Sequence, residues 1–180
     1  AAIITLLVIF NHLFLQKLDA QNRATSVIKR TIDGDTVVLE GDLTVRLLNI
    51  NSPEKSDKGY EEAKNFMSQY TNKTVQVETV GVDKYGRTLG RIFSPEYLNL
   101  KLVEKGFAKK FLVDESELKA FAKAEESAIE RSFGIWEKSP YWGCFTVEIS
   151  PEEEWVAIYN KCSKTINQEL IIGDESRKKY

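Results

Sequence analysis

The side chains able to do chemistry in this sequence are carboxylates, guanidinium groups and hard oxygen donors. Asp33-Gly34-Asp35 ends one apolar run, Arg46 lies in the middle of another, and Asn51, Ser52 and Glu54 follow where that run stops. The pair Gly41-Asp42 reads as a two-residue hairpin connection between TVVLE and LTVRLLNI. Counting back along an antiparallel ladder sets Val37 opposite Arg46 and Asp35 opposite Leu48, so Asp35 and Arg46 are expected as diagonal neighbours on one face. Asp35, the Asn51 amide oxygen, a backbone carbonyl and Glu54 are then oxygen donors of the kind that Ca²⁺ takes at about 2.3 to 2.6 Å. Arg46 beside such a cation points to an anionic substrate, and a phosphodiester fits both. Taken singly, Asp33-Gly34-Asp35 also reads as a strand-connecting turn and Asp83-Lys84-Tyr85-Gly86-Arg87 as a hairpin tip.

The rest of the composition narrows the chemistry. One histidine, His12, and two cysteines, Cys144 and Cys162, exclude a Ser-His-Asp triad, an H-E-x-x-H zinc site and a four-cysteine zinc site. A net charge of −2 argues against coating nucleic acid by bulk electrostatics and leaves room for a local basic cleft. With 42% hydrophobic and 29% charged residues, the 180-residue chain has the composition of a globular domain, and disorder, collagen and coiled coil are excluded.

The elements that must position these residues follow from periodicity. SVIKRTI, TVVLE and LTVRLLNI read as strands; Tyr60 to Tyr70 places Ala63, Phe66, Met67 and Tyr70 at helical spacing. TVQVETV and TLGRIF pair across the DKYGR turn. A second helix runs from about Tyr97 to Lys105 and stops at Gly106. After a short FAKKFLV strand, Asp114 is placed to cap a third helix ending near Gly134. The fold class is α+β, mainly β: five strands and three helices in this order form a small barrel with helices around it, followed by a short β-rich extension.

At these residues the sequence resembles the staphylococcal nuclease, or thermonuclease-like, domain family. The resemblance is carried by Ile32-Asp33-Gly34-Asp35-Thr36-Val37, Val45-Arg46-Leu47-Leu48 through Ser52-Pro53-Glu54, Asp83-Lys84-Tyr85-Gly86-Arg87, Leu102 to Ala108 and Gly134-Ile135-Trp136, and covers roughly Ser26 to Pro140. It implies an OB-type five-stranded barrel and a Ca²⁺-dependent phosphodiesterase acting on DNA and RNA. By position it implies that Asp35 is a direct calcium ligand, that Ser52 supplies a carbonyl ligand and that Glu54 orients or deprotonates the attacking water. Arg46 and Arg87 correspond to the phosphate clamp, with Arg87 near the leaving 5′ oxygen, and Lys84 and Tyr85 to contacts with a neighbouring phosphate. Two positions depart from the family pattern. Asn51 stands where a second calcium-binding aspartate is usual, which lowers the ligand charge. Lys110-Phe111-Leu112-Val113-Asp114 replaces a stretch with two tyrosines, so any base stacking must use a different residue such as Phe111, and sequence preference does not carry over.

The organisation expected is an apolar leader or membrane anchor at 1–22, the thermonuclease-like domain at 23–140 and a β-rich extension at 141–180 that resembles the start of a lamin-tail-like sandwich. Bulky Leu18 makes Leu18-Asp19-Ala20 a poor cleavage site, in favour of an uncleaved anchor. The expected location is extracellular, or membrane-anchored facing outside, where Cys144 and Cys162 could pair. Asn72-Lys73-Thr74 matches a glycosylation sequon. The expected partner is a DNA or RNA substrate, and the expected state a monomer. The competing reading is a catalytically weak or inactive OB-type module that binds nucleic acid or protein; retention of Arg46, Glu54 and Arg87 favours the enzyme.

Overall fold

A computed structural model describes residues 23–167; the leader expected at 1–22 and residues 168–180 lie outside the described residues. The strands are β1 (Ala24–Asp33), β2 (Thr36–Leu39), β3 (Thr44–Leu47), β4 (Ile50–Asn51), β5 (Thr74–Val82), β6 (Thr88–Ser94), β7 (Glu96–Tyr97), β8 (Lys109–Lys110), β9 (Phe145–Ser150) and β10 (Trp155–Asn160). The helices are α1 (Tyr60–Ser68), α2 (Leu98–Glu104) and α3 (Glu115–Glu130). The main sheet has the order β3-β2-β1-β5-β6-β7, and a parallel pairing of β3 with β6 closes its first five strands into a barrel. Two register irregularities in β1 and one in β5 supply the bending that closure demands. The fold is the mainly β, OB-type barrel with three helices that the sequence led us to expect.

Alternation along the strands sends Val37, Val45, Leu47, Val75, Val77 and Ile92 into the barrel, where each is buried. Helix α1 buries Tyr60, Ala63, Phe66 and Met67, and α2 and α3 add Leu98, Leu102, Val103 and Phe121. Each such large side chain contributes about 1.5 to 3 kcal/mol through removal from water. Gly106 stops α2 in the left-handed region (φ 67°), and its Cα faces the Phe133 carbonyl so closely that any side chain there would collide with it.

The structure corrects four local expectations. The β2–β3 connection is not a two-residue turn but a three-residue turn of 3-10 helix, Glu40–Asp42, with both Gly41 and Asp42 at positive φ. The register therefore shifts by one: Thr36, not Val37, faces Arg46, and the Asp35 carbonyl accepts the Leu47 N–H at 2.8 Å. LTVRLLNI is not one strand, because Asn49 takes a left-handed conformation (φ 67°) and splits it into β3 and β4. FAKKFLV shrinks to Lys109–Lys110, which pairs with Ile50–Asn51. Asp114 stands at the N-cap of α3, yet its carboxylate makes no capping bond and instead accepts from Arg91 Nη2 at 3.2 Å.

The chain divides into two compact units between Trp136 and Glu137. In the second, β9 and β10 form an antiparallel hairpin, and a Cys144–Cys162 disulfide (Cα–Cα 5.0 Å) joins the residue before β9 to the one two places beyond β10. Among the described residues, no helix is long and apolar enough to cross a membrane. Because the barrel's core is drawn from residues before Trp136, a protein lacking residues 1–22 and 141–180 is expected to unfold cooperatively with intact near-ultraviolet CD. Absence of that signal would show that the extension is needed for the core to pack.

Candidate active site

Asp35 sits in the turn between β1 and β2, its side chain 3% exposed. Its N–H donates to Asp33 Oδ1 at 3.1 Å, a local bond that shapes the Asp33-Gly34-Asp35 turn. Gly34 is sterically required, because a Cβ there would lie 2.5 Å from the Ala63 Cβ and 2.8 Å from that of Ser52. The turn can thus press against both α1 and the segment following β4. There the Ser52 N–H donates to Asp35 Oδ2 at 2.6 Å, while the Thr36 hydroxyl donates to Asp35 Oδ1 at 3.1 Å.

Arg46 completes this cluster. Its Nη2 lies 3.2 Å from Asp35 Oδ2 and donates to the Ile50 carbonyl at 2.9 Å and to Asn51 Oδ1 at 3.2 Å; its Nη1 donates to the Leu47 carbonyl at 2.9 Å. The left-handed turn at Asn49 is what folds Ile50 and Asn51 back over the guanidinium. Asp35, Arg46, Asn51 and Ser52, proposed from sequence as one site, are therefore joined by direct bonds, even though the register that led to the pairing of Asp35 with Arg46 was off by one. Glu54 lies two residues beyond Ser52, exposed, at the start of a turn in which the Asp57 N–H donates to the Glu54 carbonyl at 2.7 Å.

Lys84, Tyr85 and Arg87 form a second cluster, in the turn between β5 and β6. Asp83 organises it: Oδ1 accepts the N–H groups of Tyr85 (2.8 Å) and Arg87 (3.0 Å), and Oδ2 accepts Arg87 Nε (2.8 Å) and pairs with Nη2 (2.8 Å). Tyr85 is 72% exposed, with Lys84 Nζ 5.0 Å and Arg87 Cζ 5.5 Å from its ring centre. The β3–β6 pairing relates the two clusters. Arg46 faces Leu89 across the seam, and Arg87 lies two residues before Leu89, immediately ahead of β6, so it is offset from Arg46 by one strand spacing and by about 6.6 Å along the strand.

Electrostatics differ between the two turns. Burial, and then the charge of Asp35, push the Asp33 carboxyl above its ordinary value. For Asp83 partial desolvation acts upward but is outweighed by the bonds from Arg87 and Tyr85, which leave the carboxyl below its ordinary value. Among the described residues no three His, Cys, Asp or Glu side chains converge as a metal cluster. A cation here would have to be held by Asp35 with the neutral oxygens of Asn51 and Ser52, a set suited to a hard cation and low in charge.

Sequence reasoning passed over Asp83 and Thr36. An aspartate opening a D-x-Y-G-R turn is a known binder of N–H groups two residues on, so the signal for Asp83 was present. For Thr36 the signal was the register, which the sequence misplaced.

Similarity to known proteins bears on this arrangement. The family model described as Staphylococcal nuclease homologue matches residues 44–138, which include Arg46, Asn51, Ser52, Glu54 and the Asp83–Arg87 turn and begin after Asp35. The chain is 32% identical to the Thermonuclease of Staphylococcus intermedius over 127 residues, 62% of this chain and 76% of that protein. It is 28% identical to Endonuclease YhcR of Bacillus subtilis over 145 residues, 67% of this chain but only 12% of that much longer protein. An Uncharacterized endonuclease of Haemophilus influenzae is 29% identical over 126 residues, 65% of this chain and 68% of that protein. With a closed five-stranded barrel, three helices and a family match over more than half its length, the chain belongs to the staphylococcal nuclease homologue family.

Proposed function

We propose that this protein is a calcium-dependent nuclease that hydrolyses phosphodiester bonds of DNA and RNA. The observation that carries the reading is the hydrogen-bonded Asp35–Arg46–Asn51–Ser52 cluster, with Arg87 just ahead of β6, the strand that pairs with β3. The relatives named as nucleases support it.

Arg46 is held by the Leu47 and Ile50 carbonyls, which fixes its positive charge beside Asp35 for a bound phosphate. Arg87, fixed through its Nε and Nη2 by Asp83, presents its charge to the leaving 5′ oxygen. The Glu54 carboxylate orients a water and takes its proton as the water oxygen bonds to phosphorus and the P–O5′ bond breaks. Lys84 and Tyr85, exposed at the turn, contact a neighbouring phosphate. Asp35, the Asn51 amide oxygen and the Ser52 carbonyl would hold Ca²⁺, which when bound supplies positive charge against the negative charge built up on the phosphate. The Cys144–Cys162 disulfide and the apolar run at 1–15 support a location outside a membrane, tethered or secreted.

This reading fixes which bond breaks. Single-stranded DNA incubated with the protein should yield fragments with 5′-hydroxyl ends that accept a labelled phosphate directly. Fragments with 5′-phosphate ends would place the leaving group on the other side of the phosphorus and separate Arg87 from it.

A further inference from the structure

Behind the segment that carries Asn51 and Ser52 lies a polar chain that the proposed mechanism leaves unused. Asn49 is 96% buried and left-handed, with φ of 67°. Its Nδ2 donates to Glu117 Oε2 on α3 at 2.7 Å, and its carbonyl accepts the Phe111 N–H at 2.9 Å. The amide Oδ1 is buried without a protein partner among the described residues, so the bond to Glu117 is what fixes the side chain. The same Oε2 accepts Arg91 Nε at 2.8 Å and Nη2 at 2.6 Å, and Arg91 Nη1 reaches Glu78 Oε1 at 2.9 Å. One carboxylate oxygen thus ties the kink before β4 to helix α3 and to the barrel wall at β5 and β6.

A left-handed, non-glycine residue in a buried turn persists only where its surroundings determine it. The kink at Asn49 turns the Ile50 carbonyl and the Asn51 amide oxygen onto Arg46, and delivers the Ser52 N–H to Asp35. We propose that Asn49 and Glu117 are positioning residues, which act through the Asn49–Glu117–Arg91 chain to hold Asn51 and Ser52 in the geometry that the phosphodiester site requires. The proposal rests on the functional reading above. Neither residue touches substrate. Their effect is to keep a strained loop in one conformation, so their loss lowers turnover without removing a phosphate contact.

The experiment compares Asn49→Gly, Glu117→Ala and Glu117→Gln in the full chain. Glycine accepts φ of 67° without strain, so Asn49→Gly folds even if Glu117→Ala does not, and it deletes only the side-chain tether. Two quantities are read: kcat and KM on single-stranded DNA with Ca²⁺, and hydrogen exchange of the Ser52 amide. The Ile92 amide, which donates to Asn99 Oδ1 within the core, serves as control. Asn49→Gly is expected to lower kcat about tenfold or more with KM within about twofold, as displacement of a catalytic group by about 1 Å does. Ser52 protection should fall about tenfold while that of Ile92 is kept, a local opening rather than global loss. Glu117→Gln retains an acceptor oxygen for Asn49 and should restore most of what Glu117→Ala loses. A folded Asn49→Gly protein with the parent's kcat overturns the proposal. If the parent hydrolyses nothing, the functional reading falls, and Ser52 exchange alone then decides the inference: unchanged protection in Asn49→Gly overturns it.

Discussion

Arg87→Ala is expected to lower turnover on single-stranded DNA by at least about 100-fold, the loss that follows removal of one preorganised transition-state donor. The side chain is fixed by a two-point contact with Asp83 in the turn before β6, so its charge is already in place when the leaving oxygen develops its own. The substitution should leave the barrel intact, because Arg87 is partly exposed and its bonds are confined to its own turn. The pairing does not titrate near neutrality. With the Asp83 carboxyl below its ordinary value, the contact is complete above the usual carboxylate range and is lost only as pH falls through the lower, folded-state value. Measured kcat for Arg87→Ala equal to that of the parent would mean that the clamp is misassigned.

Arg46→Ala should do more, because it acts on stability as well as on turnover. Arg46 and Asp35 are both buried, with side chains 8% and 3% exposed, and the substitution strands the Asp35 carboxylate without its guanidinium. Removing one partner of a buried pair costs about 3 to 5 kcal/mol, which a shift in the urea midpoint reads directly. It also leaves the Leu47 and Ile50 carbonyls without the donors they have now. Turnover should fall by at least about 100-fold, again by loss of a fixed donor. Arg46→Lys separates the two effects. A lysine returns charge to Asp35 and part of the stability, yet it lacks the planar fork that meets two carbonyls and a phosphate together, so activity should stay low. An Arg46→Ala protein as stable as the parent would show that the Asp35 carboxylate does not depend on this cation.

Much of this site was legible in the sequence, for identifiable reasons. Asp35, Arg46, Asn51 and Ser52 lie within 18 residues, in or beside strands of one local hairpin and its continuation, so their meeting follows from any hairpin close to the true one. The exact register was not legible, because Gly41-Asp42 satisfies a two-residue turn while the chain takes three residues, Glu40–Asp42, with two of them left-handed. The break in LTVRLLNI was hidden likewise: Asn49 interrupts an apolar run at a position where its left-handed turn depends on Glu117, 68 residues away. Asp114 shows the same competition. Local preference placed it as a helix cap, and the tertiary attraction of Arg91 took its carboxylate elsewhere. Local chemistry is readable where partners are near in sequence, and the network behind the site is built from partners that are not.

The most direct measurement of the central claim is the initial rate of single-stranded DNA hydrolysis by the purified chain with Ca²⁺, and then with excess chelator. The account predicts cleavage in calcium, with a weak calcium requirement set by the single anionic ligand Asp35, and abolition by chelator that added calcium reverses. A rate unchanged by chelator, or no hydrolysis at any calcium concentration by a folded protein, would contradict it.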